Sequence, residues 1–225
     1  ANYAANSVLA GTFTNKAARE MGERSRHLLG SAARGLHIST FHRLGLDILH
    51  REYPKLRLRK GFSILDARDG ITLLRKLTKS KDNAQLQAVQ SRISAYKNSN
   101  IDAAQALQLA DDELSKLSAI AYGAYQERLR AYNAVDFDDL LLLPVQLLKT
   151  ESETRNYWQS RVRYLLVDEY QDTNDCQYQL MQLLSGVSCA FTAVGDDDQS
   201  IYAWRGAQPQ NLLNLQQDKT KIKTI

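Results

Sequence analysis

Apolar and polar positions follow two different rhythms along this chain. Short apolar runs at Ser7 to Phe13 and Leu36 to Thr40 predict strands. Each precedes a stretch of helical spacing: Asn15 to Leu29, with Asn15 read as its N-cap, and a helix running through His50. Alternation of strand and helix is the order of a parallel sheet. From about Arg43 to about Ser152 the helical period takes over, through Ile71, Leu74 and Leu77, then Leu86, Val89 and Ile93, then Leu107, Leu114, Leu117 and Ile120, then Tyr125, Leu129 and Tyr132. The polar segments Lys79 to Asn83 and Asn98 to Asn100 predict loops within it. Strand signals return at Tyr164 to Val167 and Ala190 to Val194, either side of a helix from Asn174 to Leu184 that Gly186 closes. The pattern predicts an α/β domain interrupted by a helical insertion: residues 1–42 and 153–225 form the first, residues 43–152 the second.

Composition narrows the class. With 225 residues, 44% of them hydrophobic, the chain has enough apolar surface for one large core or two modest ones. The longest apolar run, Leu140 to Val145, is far short of a membrane span, and no signal-peptide pattern opens the chain, so a cytoplasmic protein is expected. Cys176 and Cys189 lack metal-ligand spacing and are expected as thiols. The chain opens in Ala1-Asn2-Tyr3 without an initiator Met and stops in the strand-like Lys221 to Ile225, which suggests a piece of a longer protein.

Charge is unevenly spread. Lys16 to Lys60 carries 11 Lys and Arg against 4 Asp and Glu, which suits either a solvated helix face or a groove for a phosphate backbone. Tyr164 to Asp198 holds 7 acids and no Lys or Arg. Such carboxylates repel one another unless a cation or hydrogen-bond donors lie among them.

Two of these acids stand where chemistry is expected. Asp168 and Glu169 follow the apolar run Leu165-Leu166-Val167, and the end of a parallel strand is where α/β sheets hold a metal and a nucleotide phosphate. There Asp168 could hold Mg²⁺ and Glu169 could polarise a water for attack on a γ-phosphate; an acidic junction without chemistry is the alternative. Gln171, Asp172 and Thr173 add polar groups in the same turn. A second segment, Val194-Gly195-Asp196-Asp197-Asp198-Gln199-Ser200-Ile201-Tyr202-Ala203-Trp204-Arg205-Gly206, offers an uncharged γ-phosphate contact in Gln199, stacking faces in Tyr202 and Trp204, and a phosphate partner in Arg205. Read singly, Asp196 to Asp198 are a solvated turn or a weak calcium site, and Tyr202 and Trp204 are core aromatics.

Together, Val167 to Asn174 and Val194 to Ala207 closely resemble motifs II and III of the UvrD/Rep-like superfamily 1 DNA helicases, most of all its Rep branch. Thr12-Phe13-Thr14-Asn15-Lys16-Ala17-Ala18 resembles motif Ia, Ile38-Ser39-Thr40-Phe41-His42 resembles motif Ib, and Asp136-Phe137-Asp138-Asp139-Leu140 matches a further signature. The resemblance covers nearly the whole chain in the right order. It implies a RecA-like P-loop NTPase sheet with a mostly helical inserted subdomain. It implies Asp168 on Mg²⁺, Glu169 as activator of the hydrolytic water and Gln199 on the γ-phosphate of ATP. Phe13, Asn15, Thr40, Phe41, His42, Tyr202, Trp204 and Arg205 would line a track for single-stranded DNA, and duplex junctions would be the substrate of a 3′-to-5′ helicase.

The departures are equally specific. No Gly-x-x-x-x-Gly-Lys-Ser/Thr phosphate loop occurs, nor an adenine-contacting glutamine motif upstream of motif Ia, so the chain alone is expected to be inactive. Gly11 stands where the family usually has an apolar residue, which weakens the first strand. A single-strand-binding module without catalysis, or a protein-interaction scaffold on the same fold, are the alternatives.

Overall fold

The computed structural model describes residues 3–196. Along the chain run β1 (Val8–Thr12), α1 (Asn15–Leu29), β2 (His37–Thr40), α2 (Phe41–Glu52), β3 (Ser63–Leu65), α3 (Ala67–Thr78), α4 (Asn83–Asn98), α5 (Ala103–Gln108), α6 (Glu113–Ala131), β4 (Ala134–Asp136), α7 (Asp139–Thr150), α8 (Ser152–Arg161), β5 (Tyr164–Val167), α9 (Asp175–Leu184) and β6 (Ala190–Ala193). The chain divides into two compact units, one of residues 1–44 with 145–225, the other of residues 45–144. The division falls inside helices α2 and α7.

In the first unit four parallel strands lie in the order β2-β1-β5-β6. Registers pair Thr12 with Thr40, Gly11 with Val167, and Val167 with Ala193, so all four strands end at one edge of the sheet. The apolar runs are buried as a parallel sheet requires: Leu9, Leu165 and Val167 are shielded, as are Cys176, Leu180, Met181 and Leu184 on α9. Burial of each such large side chain contributes roughly 1.5–3 kcal/mol. Gly11 does not weaken β1. The Phe41 ring occupies the space beside it, and a Cβ at Gly11 would lie 3.0 Å from that ring, so the apolar group the strand lacks is supplied by another residue. Helix α1 is capped by Thr14, not by Asn15: the Thr14 hydroxyl accepts from Ala17 N at 3.0 Å, and Asn15 is the first helical residue.

The second unit is mainly helical. Asp66, Asp82, Asp102 and Asp112 each cap the helix that follows, α3 to α6, by accepting from its first free N–H groups. The cores of α3, α4 and α6 meet at Leu74, Leu86, Val89, Ile93, Tyr122 and Leu129. Three residues expected in the helical stripes lie outside: Leu107 is 51%, Ile120 63% and Tyr132 55% exposed. Helix α6 buries Ser118, Tyr122, Tyr125 and Leu129, and Ile120 falls roughly half a turn off that line. The unit also holds a feature absent from the sequence expectation, the short parallel pair β3 and β4, which joins Ser63 to Ala134 and Leu65 to Asp136.

At the end of β4 lies a buried charge network. Lys97 on α4 is 0% exposed, and its Nζ donates to Asp136 Oδ2 at 2.7 Å and to Asp139 Oδ1 at 2.8 Å. Tyr125 and Tyr122 flank it, with ring centroids 5.3 and 5.9 Å from the ammonium. Asp139 also accepts from Gln126 at 3.2 Å, and Asp138 accepts from Asn98 at 3.0 Å. Burial alone would lower the pKa of Lys97, but the charges of Asp139 and Asp136 reverse the effect and raise it. Burial pushes the Asp139 carboxyl up to about 6, against the pull of Lys97.

Candidate nucleotide and single-strand site

The shared C-terminal edge of the sheet is where the candidate residues gather. Phe13 follows β1, Phe41 follows β2, Asp168 follows β5 and Val194 follows β6. Open α/β sheets place ligands at this edge because the loops there are free to vary while the strands hold their ends fixed.

Backbone hydrogen bonds extend the sheet past its last paired residues. Asp168 N donates to Gly11 O at 3.1 Å, Val194 N to Val167 O at 2.8 Å, and Tyr170 N to Val194 O at 2.9 Å. Asp168 is thereby held half-buried at the strand end. The next residue turns sharply: Glu169 has φ of +54°, a left-handed conformation that non-glycine residues adopt at a cost of order 1–3 kcal/mol. This turn leaves the Glu169 side chain exposed while its neighbours Tyr170, Gln171, Asp172 and Thr173 are buried. Strain is sustained here because the surrounding bonds over-determine it. Tyr170 is 1% exposed and packs edge-on against Phe191 at 6.1 Å, Thr173 Oγ1 donates to Tyr170 O at 2.8 Å, and Asn174 with Gln177 forms a capping box that starts α9.

Gln171 occupies the centre of the turn. Its Nε2 donates to Glu169 Oε2 at 2.7 Å, and its Oε1 accepts from Asp196 N at 3.1 Å. Asp172 is 9% exposed, and its Oδ1 has no hydrogen-bond partner among the described residues. Burial, then the charge of Glu169, pushes its carboxyl above the usual range.

As for a metal, no cluster of three or more His, Cys, Asp or Glu suited to one occurs among the described residues. Mg²⁺ bound with a nucleotide keeps several waters and takes one or two carboxylates plus phosphate oxygens. Asp168, half-buried at the strand end, is the carboxylate that would hold it; bound there, the ion would neutralise charge on the phosphates.

The candidate strand-contacting residues divide by environment. Phe13 is half-buried and Asn15 exposed, and the Phe13 ring meets Phe41 edge-on at 5.7 Å. Phe41 is 2% exposed, so its ring serves as a packing floor under Phe13 and Gly11. Thr40 is buried, its Oγ1 accepting from Arg43 N at 3.2 Å, and His42 is half-buried in the first turn of α2. Lys16 is exposed, 3.8 Å from Glu20. Gln199, Tyr202, Trp204 and Arg205, with Asp197 and Asp198, lie outside the described residues.

Four parallel strands flanked by helices, with Asp168 and Glu169 at the end of β5, define an α/β domain with an acidic C-terminal sheet edge. A profile of the UvrD/REP helicase N-terminal domain matches residues 1–220, and the chain belongs to this family. It is 52% identical to the ATP-dependent DNA helicase Rep of Escherichia coli K12 over 99% of its own length, and 44% identical to Rep of Buchnera aphidicola subsp. Acyrthosiphon pisum, likewise over 99%. It is 40% identical to the ATP-dependent DNA helicase PcrA of Staphylococcus aureus Mu50 over 97%. The chain spans about a third of the length of these relatives, 34%, 35% and 30% respectively.

Proposed function

We propose that the protein containing this chain is an ATP-dependent DNA helicase that couples hydrolysis to 3′-to-5′ movement on single-stranded DNA and opens duplex junctions. The observation that carries this reading is the Asp168-Glu169 pair at the C-terminal edge of the parallel sheet, with Asp168 tied to β1 and Glu169 turned outward and hydrogen-bonded by Gln171. In this reading Asp168 takes Mg²⁺, Glu169 orients and deprotonates the attacking water, and Gln199 contacts the γ-phosphate. Arg205 pairs with phosphate. Phe13, Asn15, His42, Tyr202 and Trp204 line the strand track; Thr40 and Phe41, expected there from the resemblance, are buried and support it from within, Phe41 by packing under Phe13. The surplus of Lys and Arg between Lys16 and Lys60 supplies backbone affinity. Named relatives that are ATP-dependent DNA helicases support the reading. No described helix is long and apolar enough to cross a membrane; the proposed place of action on DNA is the cytoplasm.

The test is unwinding of duplexes with single-stranded tails by the full-length protein. ATP-dependent opening of a 3′-tailed duplex, with little on a 5′-tailed one, is the expected result. Tight single-strand binding with neither ATP turnover nor unwinding would make the protein a binding module instead.

A further inference from the structure

The side chain that joins the two acidic strand ends is Gln171, at 1% exposure. Its amide has only one orientation that satisfies both neighbours. Glu169 offers a carboxylate and accepts; Asp196 offers a backbone N–H and donates. A flipped amide would set oxygen against oxygen and N–H against N–H. The pairing therefore fixes which end of Gln171 faces Glu169, and the left-handed backbone at Glu169 aims that carboxylate back at the amide two residues on. Gly195 completes the arrangement. A Cβ there would lie 2.7 Å from Gln171 Oε1 and 3.3 Å from Tyr170 N, so a side chain at this position would push the amide out of its place.

We propose that Gln171 is a positioning residue: it holds the Glu169 carboxylate in its working orientation and ties it to the backbone after β6, the segment that runs on to Gln199. The inference rests on the reading of Glu169 as activator of the hydrolytic water. A free glutamate on an exposed turn samples several rotamers, whereas one accepting a 2.7 Å bond from a buried amide is confined near one. Because the same amide binds Asp196 N, a shift of that backbone displaces the carboxylate as well.

Three substitutions in the full-length protein test this. Gln171→Met keeps length and removes both bonds; Gln171→Glu keeps the acceptor for Asp196 and loses the donor to Glu169. Gly195→Ala leaves both side chains intact and pushes on the amide. Steady-state ATP hydrolysis with saturating single-stranded DNA is measured alongside ATP titration, DNA titration and thermal melting. The expected result is kcat lowered at least about tenfold in all three, with the dissociation constants for ATP and DNA within about threefold of the parent, the signature of a group that acts in the hydrolytic step and not in binding. Either Gln171 variant with kcat within about twofold of the parent overturns the proposal, as does a loss of ATP affinity and melting temperature that accounts for the fall in kcat. Gly195→Ala with parental kcat overturns the tie to the strand after β6. Glu169→Gln is run in parallel. If it hydrolyses ATP like the parent, the reading of Glu169 fails; if it is inactive while both Gln171 variants are normal, only the positioning role fails.

Discussion

Lys97→Met removes one charge from the buried network of the helical unit and keeps the length of the side chain. Asp139, with its side chain 3% exposed, and Asp136, at 14%, then face each other without the ammonium that lay 2.8 and 2.7 Å away. Breaking a buried pair from one side costs about 3–5 kcal/mol, because the orphaned charge keeps its desolvation penalty and loses its partner. Uptake of a proton by Asp139 offsets part of this. Its folded pKa, about 6, already stands above the ordinary 3.8. A carboxyl raised on folding contributes stability that is present below the unfolded value and lost as pH rises through the folded one. Without Lys97 that folded value rises further, so the loss extends to higher pH and the gap between variant and parent widens from pH 5.5 to pH 8. Hydrogen exchange on peptides covering Ile93 to Asn98 and Ala134 to Leu140 is the assay, each pair compared at the same pH. Protection is expected to fall by about 10²- to 10³-fold at pH 8 and by less at pH 5.5. Adding Asp139→Asn, which removes one unpaired charge, is expected to restore part of it. Undiminished protection at pH 8, or a gap that narrows as pH rises, would refute the reasoning.

Other perturbations test separate parts of the structure. Gly45→Ala puts a Cβ 1.8 Å from the carbonyl oxygen of Leu140, which Pro144 four residues on cannot engage for want of an N–H; melting should show at least the roughly 1–3 kcal/mol of ordinary overpacking. Asn174→Ala removes the capping box of α9 and should cost about 1 kcal/mol by the same measurement. Lys16→Ala or Arg43→Ala should lower the slope of log single-strand affinity against log salt, and an unchanged slope would take these residues off the track. Trp204→Ala should cost roughly 1–3 kcal/mol of single-strand binding in titrations corrected for the folded fraction, and unchanged affinity would rule out base stacking.

The sheet was legible because buried parallel strands write themselves as continuous apolar runs: Tyr164 to Val167 matches β5 residue for residue. Gly11 misled because the sequence cannot show that Phe41, from the next strand end, fills its place. Strands β3 and β4 were invisible, since three residues are too few to show alternation and their pairing spans most of the helical unit. The Lys97 network carried a faint signal. Lys97 continues the buried Val89 and Ile93 line of α4, and three aspartates sit within four residues at Asp136 to Asp139, but nothing local says that they meet. At the candidate site the spacing pointed to Asp168 and Glu169, whereas the bridge through Gln171 depends on the left-handed turn at Glu169 and on the approach of Gly195, both set by tertiary packing.

The exposed carboxylate of Glu169 is proposed to activate the water that attacks ATP. Glu169→Gln in the full-length protein preserves shape and removes the base, so nucleotide titration and single-strand-stimulated turnover of the same preparation test it most directly. The expected result is ATP affinity close to the parent and turnover lowered by at least about two orders of magnitude. Turnover at the parental rate, with ATP still bound, would contradict it.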